Sequence, residues 1–219
     1  MEYRETLTPW LLRAAVVAGL SYVAIWGLGF GPAVMTLWKG AGVSLLALWA
    51  ASQARDQDGW MLAAVMAFGA SGDVLLETAG LMTGAVAFAI GHVIAIWLYA
   101  RNRRASLTVS QRLLAVLIIP ATVITAYMLP TDRSTALGLA VYALLLSAMA
   151  AMAWTSHFPR YRTGIGAMMF VASDLLIFAR LGPLADTVTV GVTIWLLYFI
   201  GQWLIVIGVR SGLNNDISS

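Results

Sequence analysis

Long apolar runs make up most of the chain, and each is about as long as a helix that crosses a lipid bilayer. About 20 mostly apolar residues are needed to span the roughly 30 Å hydrocarbon core as a helix. Such runs cover residues 10–30, 33–52, 60–79, 82–100, 112–129, 135–156, 164–181 and 187–209. Short connectors with turn residues, such as "QARDQDG" and "PTDRS", separate them. We therefore predict an all-α membrane bundle of eight transmembrane helices, a single domain over residues 1–219.

The composition leaves almost no sequence for a soluble domain. Of the 219 residues, 61% are hydrophobic and 11% are charged, whereas soluble domains carry about 25% charged residues. The net charge of +3 comes from arginines in the connectors, so no basic groove remains for nucleic acid. The chain has no cysteine, which excludes disulfides, thiol catalysis and thiolate metal sites. The expected surroundings are a lipid bilayer.

Most arginines fall on one side of the predicted bundle. Short cytoplasmic loops are enriched in Lys and Arg, and only Arg133 and Arg180 fall on the other side. The larger group consists of Arg4, Arg13, Arg55, Arg101, Arg103, Arg104, Arg112, Arg160, Arg162 and Arg210. We predict cytoplasmic termini and a multi-pass location in the inner cell membrane. The first segment lacks the basic start and cleavage site of a signal peptide, so we expect it to be retained.

A few ionisable residues interrupt the apolar runs. Each costs about 2.5–3.5 kcal/mol to insert at the centre of a membrane helix and usually faces a partner or a cavity. They are Lys39, Asp73, Glu77, His92 and Asp174. Each is a candidate functional residue, although polar contacts that only hold helices together, worth about 0.6–2 kcal/mol, are the structural alternative.

Depth along each helix places most of these groups at one level. With a rise of about 1.5 Å per residue, Lys39, Asp73, His92, Asp174 and the amide of Gln202 lie roughly 12–20 Å from the cytoplasmic ends of their helices.

Glu77 lies one turn beyond Asp73, nearer the far surface. There we expect either a solvated helix end or a pair with Arg180.

Five short motifs carry a family resemblance. They are Lys39 early in span two, "ASGD" ending at Asp73, Phe88-x-x-x-His92, "GAMMFVASDLL" with Ser173 and Asp174, and Tyr198-x-x-x-Gln202. In this order, on spans two, three, four, seven and eight, they resemble the YhhN family of eight-helix membrane proteins, whose characterised members are lysoplasmalogenases. Two positions depart from the family pattern. Gly40 stands where the family has proline, and Ala95 where it often has an aromatic residue, with Tyr99 one turn later.

The resemblance implies hydrolysis of the vinyl ether bond of a lysoplasmalogen, a lysophospholipid. That chemistry needs a proton donor, a negative group and a water. We expect Asp73 as the acid and Asp174, beside the Ser173 hydroxyl, as the ionised partner. Lys39, His92, Tyr198 and Gln202 would bind or orient the polar part of the lipid. We expect no cofactor and no metal, because one membrane histidine, with His157 in a loop, makes a poor zinc site.

Two other functions fit parts of the pattern. A transporter or lipid-binding protein would use the acids as a proton relay, and Pro120 would then mark a break in span five. An intramembrane aspartyl protease would also use two aspartates, but its motifs require glycine at Ser71 and an aromatic residue at Ser173.

Overall fold

The computed structural model describes the backbone of residues 2–217 and the side chains of residues 9–214. Within this part of the chain every regular element is a helix, as predicted. The eight helices are α1 Glu2–Ala24, α2 Pro32–Gln53, α3 Gln57–Thr78, α4 Leu81–Arg101, α5 Val109–Met128, α6 Arg133–Thr155, α7 Thr163–Ala179 and α8 Val188–Ile217. The side chain of Arg4, one of the arginines assigned to the cytoplasmic side, lies outside the described side chains.

The length of the apolar stretch separates six of these helices from the other two. Long apolar stretches able to cross a membrane occur in α2, α3, α4, α5, α6 and Val188–Asn214 of α8. The apolar part of α1, Pro9–Ala24, and α7, Thr163–Ala179, are shorter. The protein is a multi-pass membrane protein. Three points stay predictions. They are that α1 and α7 also cross the membrane, that both termini are cytoplasmic, and that the chain forms a single domain.

Helix α1 ends earlier than predicted because of the glycine-rich segment after it. Beyond Ala24, the backbone N–H groups of Ile25, Trp26 and Leu28 donate to carbonyls three residues earlier, at 3.1–3.4 Å. These tighter turns are typical of a helix that is ending. Gly29 then adopts φ 71°, a conformation that favours glycine.

Side-chain caps fix where three other helices begin. Asp56 accepts a hydrogen bond from the backbone of Gly59 at 2.7 Å before α3. Thr108 and Gln111 form a reciprocal capping box at the start of α5. Asp132 accepts from the backbone N–H of Ser134 at 2.9 Å at the start of α6. Each cap satisfies an N–H group that has no partner within its own helix.

Pro120 lies inside α5 without ending it, since α5 continues to Met128. The break in span five that the transporter alternative would use is therefore not present in α5. Membrane helices tolerate proline because neighbouring groups and local adjustments satisfy the backbone.

The chain divides into two compact units, one ending at Leu98 and the other beginning at Tyr99, within α4. In the first unit α1 packs on α2 and α2 on α3. Helix α4 approaches α3 closely at Gly84, which has no side chain. A Cβ atom there would lie only 2.9 Å from Leu76. In the second unit α5 packs on α6, α6 on α7, and α7 on α8.

Backbone hydrogen bonds join the connections of the second unit at two places. The N–H groups of His157 and Arg104 donate to the carbonyls of Asn102 and Thr155, at 2.8 and 3.3 Å. Elsewhere the N–H of Thr131 donates to the carbonyl of Leu181 at 3.0 Å. We call these two sets of bonds the loop clasps. His157 lies in a connection, as predicted.

Helix α8 extends beyond the predicted end of span eight. Its last turns pack on the connection before α7, where a Cβ atom at Gly208 would lie 2.8 Å from the backbone nitrogen of Thr163. A Cβ atom at Gly212 would meet the ring of Phe158 at 2.5 Å. Arg210, assigned to the loop after span eight, instead lies inside α8 and is buried, so that assignment is wrong.

We expect Asp132 to make stability depend on pH at the acid end. The backbone N–H and hydroxyl of Ser134 both donate to its carboxylate and lower its pKa below the ordinary value. Stability from this cap is therefore complete above the unfolded pKa, near about 3.9, and is lost as the pH falls through the lower folded pKa. Asp132→Ala should lower the thermal midpoint in detergent at neutral pH, and its difference from wild type should shrink in acid.

Asp132→Asn is the matched control, because it keeps a capping oxygen without the charge. It should unfold above Asp132→Ala at neutral pH. Equal thermal midpoints for wild type and Asp132→Ala at neutral pH would contradict a stabilising cap at Asp132.

Candidate functional site

The predicted site residues are divided between the two units. Four belong to the first unit and four to the second. The first set is Lys39, Asp73, Glu77 and His92, and the second is Ser173, Asp174, Tyr198 and Gln202.

Asp73 lies on the buried face of α3, with 3% of its surface exposed. The residue before it explains how α4 reaches this point. A Cβ atom at Gly72 would lie 2.7 Å from ring atoms of Phe88, so only glycine leaves room for the ring. The "ASGD" motif of α3 therefore packs directly on the Phe-x-x-x-His motif of α4.

His92 follows Phe88 by one turn of α4 and is also buried, with 3% of its surface exposed. Residues four apart on a helix lie on the same face. Phe88 therefore fixes α4 against α3 on the face that carries His92. Asp73 and His92 are thus both buried on neighbouring helices of this unit, and the common depth of all five polar groups stays a prediction.

Lys39 of α2 forms an ion pair with Glu77 of α3, with 2.5 Å between Nζ and Oε1. The pair is partly open to the surroundings, since the side chains are 15% and 41% exposed. Arg180 pairs with Asp186, also at 2.5 Å. Glu77 is therefore the acid that Lys39 contacts in the first unit, and the pair with Arg180, one of the two alternatives for Glu77, stays a prediction.

Tyr22 of α1 is a neighbour of this acidic group that the sequence did not single out. It is 7% exposed and interacts electrostatically with both Glu77 and Asp73. Its ring packs edge-on against Trp26, with 5.5 Å between centroids. A buried tyrosine within an apolar run usually finds a polar partner for its hydroxyl, which is the signal that could have identified it.

In the second unit, Asp174 of α7 is buried and accepts a hydrogen bond from Tyr142 of α6. The phenol oxygen lies 2.6 Å from Oδ2 of the carboxylate. Phe178 packs edge-on against the Tyr142 ring, with 5.9 Å between centroids. A hydroxyl donor this close stabilises negative charge on the carboxylate.

The Ser173 hydroxyl donates to the carbonyl of Ile194 in α8, at 3.0 Å. Sequence reasoning expected this hydroxyl to support Asp174. The direct donor to Asp174 is instead Tyr142, which was missed. Tyr142 stands alone among aliphatic residues in "LAVYALLL", far from the interfaces where membrane tyrosines concentrate, and this position was the available signal.

Tyr198 and Gln202 lie one turn apart on the buried face of α8. Tyr198 packs edge-on against Phe170 of α7, with 5.1 Å between centroids. Gln202 is 1% exposed, and its amide oxygen has no hydrogen-bond partner among the described residues.

Glycines set the close approach of α7 and α8. A Cβ atom at Gly166 would lie 2.5 Å from the carbonyl oxygen of Gly201, and one at Gly201 would lie 2.7 Å from that of Gly166. This contact brings the backbone of α8 next to Gln202 close to α7.

Among the described residues, no group of three or more His, Cys, Asp and Glu side chains is arranged to hold a metal ion.

Comparison with known proteins identifies a family. The model of the YhhN family matches residues 34–209. No curated protein and no solved structure gives a significant match to the chain.

The two departures from the family motifs have structural counterparts. Gly40 packs tightly on α3, where a Cβ atom would lie 2.8 Å from Cγ2 of Val74. Ala95 is 2% exposed in the core. Tyr99 packs edge-on against Phe158 in the second unit, with 6.1 Å between centroids, so its ring is used in packing there.

We expect Gly72→Ala to be destabilising because the added methyl group overlaps Phe88. Overpacking of this kind costs about 1–3 kcal/mol. Thermal unfolding in detergent should show a lower midpoint, and adding Phe88→Leu should restore part of the loss.

Gly27→Ala is the control, since nothing lies within 4 Å of a Cβ atom there. If Gly72→Ala and Gly27→Ala unfold at the same temperature, Phe88 does not require glycine at position 72.

Proposed function

Because the chain belongs to the YhhN family, we propose that it hydrolyses the vinyl ether bond of lysoplasmalogens, releasing a fatty aldehyde and a glycerophospho-base. The observation that carries the proposal is a buried aspartate at each of the two family motif positions, Asp73 and Asp174. A membrane helix bears the cost of a buried acid mainly where function or pairing requires it.

The reaction needs one acid and one base. Proton transfer to the β-carbon of the vinyl ether gives an oxocarbenium ion. Water adds to the carbon next to the ether oxygen and gives up a proton, which produces a hemiacetal. The C–O bond of the hemiacetal then breaks, its hydroxyl proton passes to the leaving oxygen, and aldehyde and alcohol result. Overall, one water is consumed and the acid regains its proton.

We assign the acid role to Asp73 and the role of ionised partner to Asp174. The Tyr142 hydroxyl supports the second assignment, since its 2.6 Å hydrogen bond stabilises a negative carboxylate. A carboxylate stabilises the oxocarbenium ion and accepts a proton from the attacking water. An undissociated carboxyl group in an apolar setting suits a proton donor.

The remaining residues are assigned to the polar part of the lipid. Lys39 supplies positive charge for the phosphate, and His92 relays protons or binds the glycerol. The Gln202 amide oxygen, which has no partner among the described residues, would accept a hydrogen bond from a lipid hydroxyl. Tyr198 orients the same region.

The direct test is aldehyde release from a lysoplasmalogen by the purified protein in detergent. Asp73→Asn and Asp174→Asn keep the shape of the side chain but cannot exchange the proton, so each should lower kcat by about 100-fold or more. Wild-type protein that releases no aldehyde from ethanolamine or choline substrates would overturn the proposal, as would undiminished release by both variants. A transporter or a lipid-binding protein would give the first result.

A second prediction concerns Tyr142. Tyr142→Phe removes only the donor to Asp174 and should lower kcat by about 10- to 150-fold, the loss expected when a hydrogen bond to a charged group worth about 1.5–3 kcal/mol is removed. KM should change little if the residue acts through Asp174. Tyr161→Phe, a change at an exposed tyrosine, is the control. Unchanged kcat in Tyr142→Phe would remove this residue from the mechanism.

A further inference from the structure

An apolar groove runs along the outside of the first unit between α2 and α3. Its volume is about 850 Å³. We call it the α2–α3 groove. Small side chains form much of its lining, including Ser44, Ala47, Ala51, Ala64, Ala67 and Ser71. The hydroxyl of Ser71 donates to the carbonyl of Ala67 at 2.9 Å, so this side chain adds little polarity to the groove.

The length of the groove suits one lipid chain. Its lining on α3 reaches from Trp60 to Val74, roughly 21 Å at 1.5 Å per residue. Half of the hydrocarbon core is about 15 Å thick. Because the α2–α3 groove lies between only two helices, it has room for one extended lipid chain along its length.

The Lys39–Glu77 ion pair lies just beyond one end of this groove. Val74 closes that end against Gly40, and the next turn of α3 carries Glu77 while Lys39 directly precedes Gly40. The pair is near the end of the helices, because α3 ends at Thr78. Charged groups at such ends reach the headgroup region of a bilayer.

An ion pair offers one positive and one negative group side by side, which complements a zwitterion. The phosphate of a phosphoethanolamine or phosphocholine headgroup matches Lys39, and its amine matches Glu77. Glu77 is 41% exposed and Lys39 15%, so a headgroup at the surface can reach the pair. A hydrophobic helix of another protein in the groove would offer no charged groups to Lys39 and Glu77, so a zwitterionic lipid fits better.

Resting on the proposed function, we propose that the α2–α3 groove holds the single chain of a zwitterionic lysophospholipid, with its phosphate at Lys39 and its amine at Glu77. Asp73 lies one turn from Glu77 in the direction of the groove, roughly 6 Å along the helix. The ether bond next to the glycerol also lies between headgroup and tail.

Binding can be measured without hydrolysis. The probe is an alkyl-ether lysophosphoethanolamine, which lacks the vinyl double bond, with bromine near the end of its chain. Bromine quenches tryptophan fluorescence, and Trp60 marks the far end of the groove. The Trp60 signal is the difference between wild type and Trp60→Phe. We expect saturable quenching of Trp60 by this probe, and absence of that quenching would overturn the proposal.

Filling the groove should weaken binding. Ala67→Phe places a ring in the groove and should raise the Kd by about tenfold, equivalent to about 1.4 kcal/mol. Ala121→Phe is the matched control, at an exposed alanine of α5, and should leave the Kd unchanged. An unchanged Kd in Ala67→Phe would overturn the proposal, and a change of oligomeric mass with unaltered quenching would assign the groove to a second copy of the chain.

Removing one charge at a time tests where the headgroup binds. These variants remain informative even if the Ala67→Phe protein does not fold. Glu77→Gln should weaken the ethanolamine probe by about tenfold and leave a phosphate-only alkyl lysolipid unaffected. Lys39→Gln should weaken both probes. Equal effects of Glu77→Gln on the two probes would overturn the assignment of the amine, and quenching by a brominated diacyl lipid as strong as that by the lysolipid would identify a groove for bulk bilayer lipid.

These outcomes separate the groove from the reaction. Quenching that responds to Ala67→Phe and Glu77→Gln, in a protein that releases no aldehyde, supports the groove and rejects the proposed function. Aldehyde release with kcat/KM unaffected by Ala67→Phe supports the function and rejects the groove as the path of the substrate.

Discussion

Burial of carboxyl groups among apolar helices is the constraint on which the rest of the structure depends. A membrane interior offers no water to a charged or polar group, so each buried acid requires a partner supplied by a neighbouring helix. Tyr142 supplies it for Asp174 in the second unit. In the first unit, Glu77, which is only partly buried, pairs with the one lysine of the chain. Gly72 leaves room for the Phe88 ring beside Asp73, and Gly166 lets α7 approach α8 closely.

The helices themselves could be predicted because bilayer thickness translates directly into run length. All eight were found, and most of their ends lie close to the expected ones. The errors occur where local or tertiary contacts override hydropathy. The apolar "IWGLGF" continued the predicted first span, yet glycine conformation ends α1 at Ala24. At the other end, packing on Phe158 extends α8 beyond residue 209.

The site was only half predictable for a geometric reason. Residue spacing gives the depth of a side chain along its helix, and depth was sufficient to select Asp73, His92, Asp174 and Gln202 as buried polar groups. It does not give the rotation of one helix against the next, which decides partners. Lys39 was expected at the level of Asp73 but pairs with Glu77, and the donor to Asp174 is a tyrosine on α6 rather than the adjacent Ser173.

The loop clasps of the second unit have a consequence for the Tyr142–Asp174 hydrogen bond. One clasp ties the connection after α4 to the end of α6, and the other ties the α5–α6 connection, just before α6 begins, to the residues that follow α7. The second clasp limits sliding of the start of α6 against the end of α7. The phenol is therefore held toward the carboxylate, and in the proposed reaction little reorganisation free energy would be spent when charge develops nearby. In this unit, backbone bonds in the loops set the preorganisation of a hydrogen bond buried inside the helices.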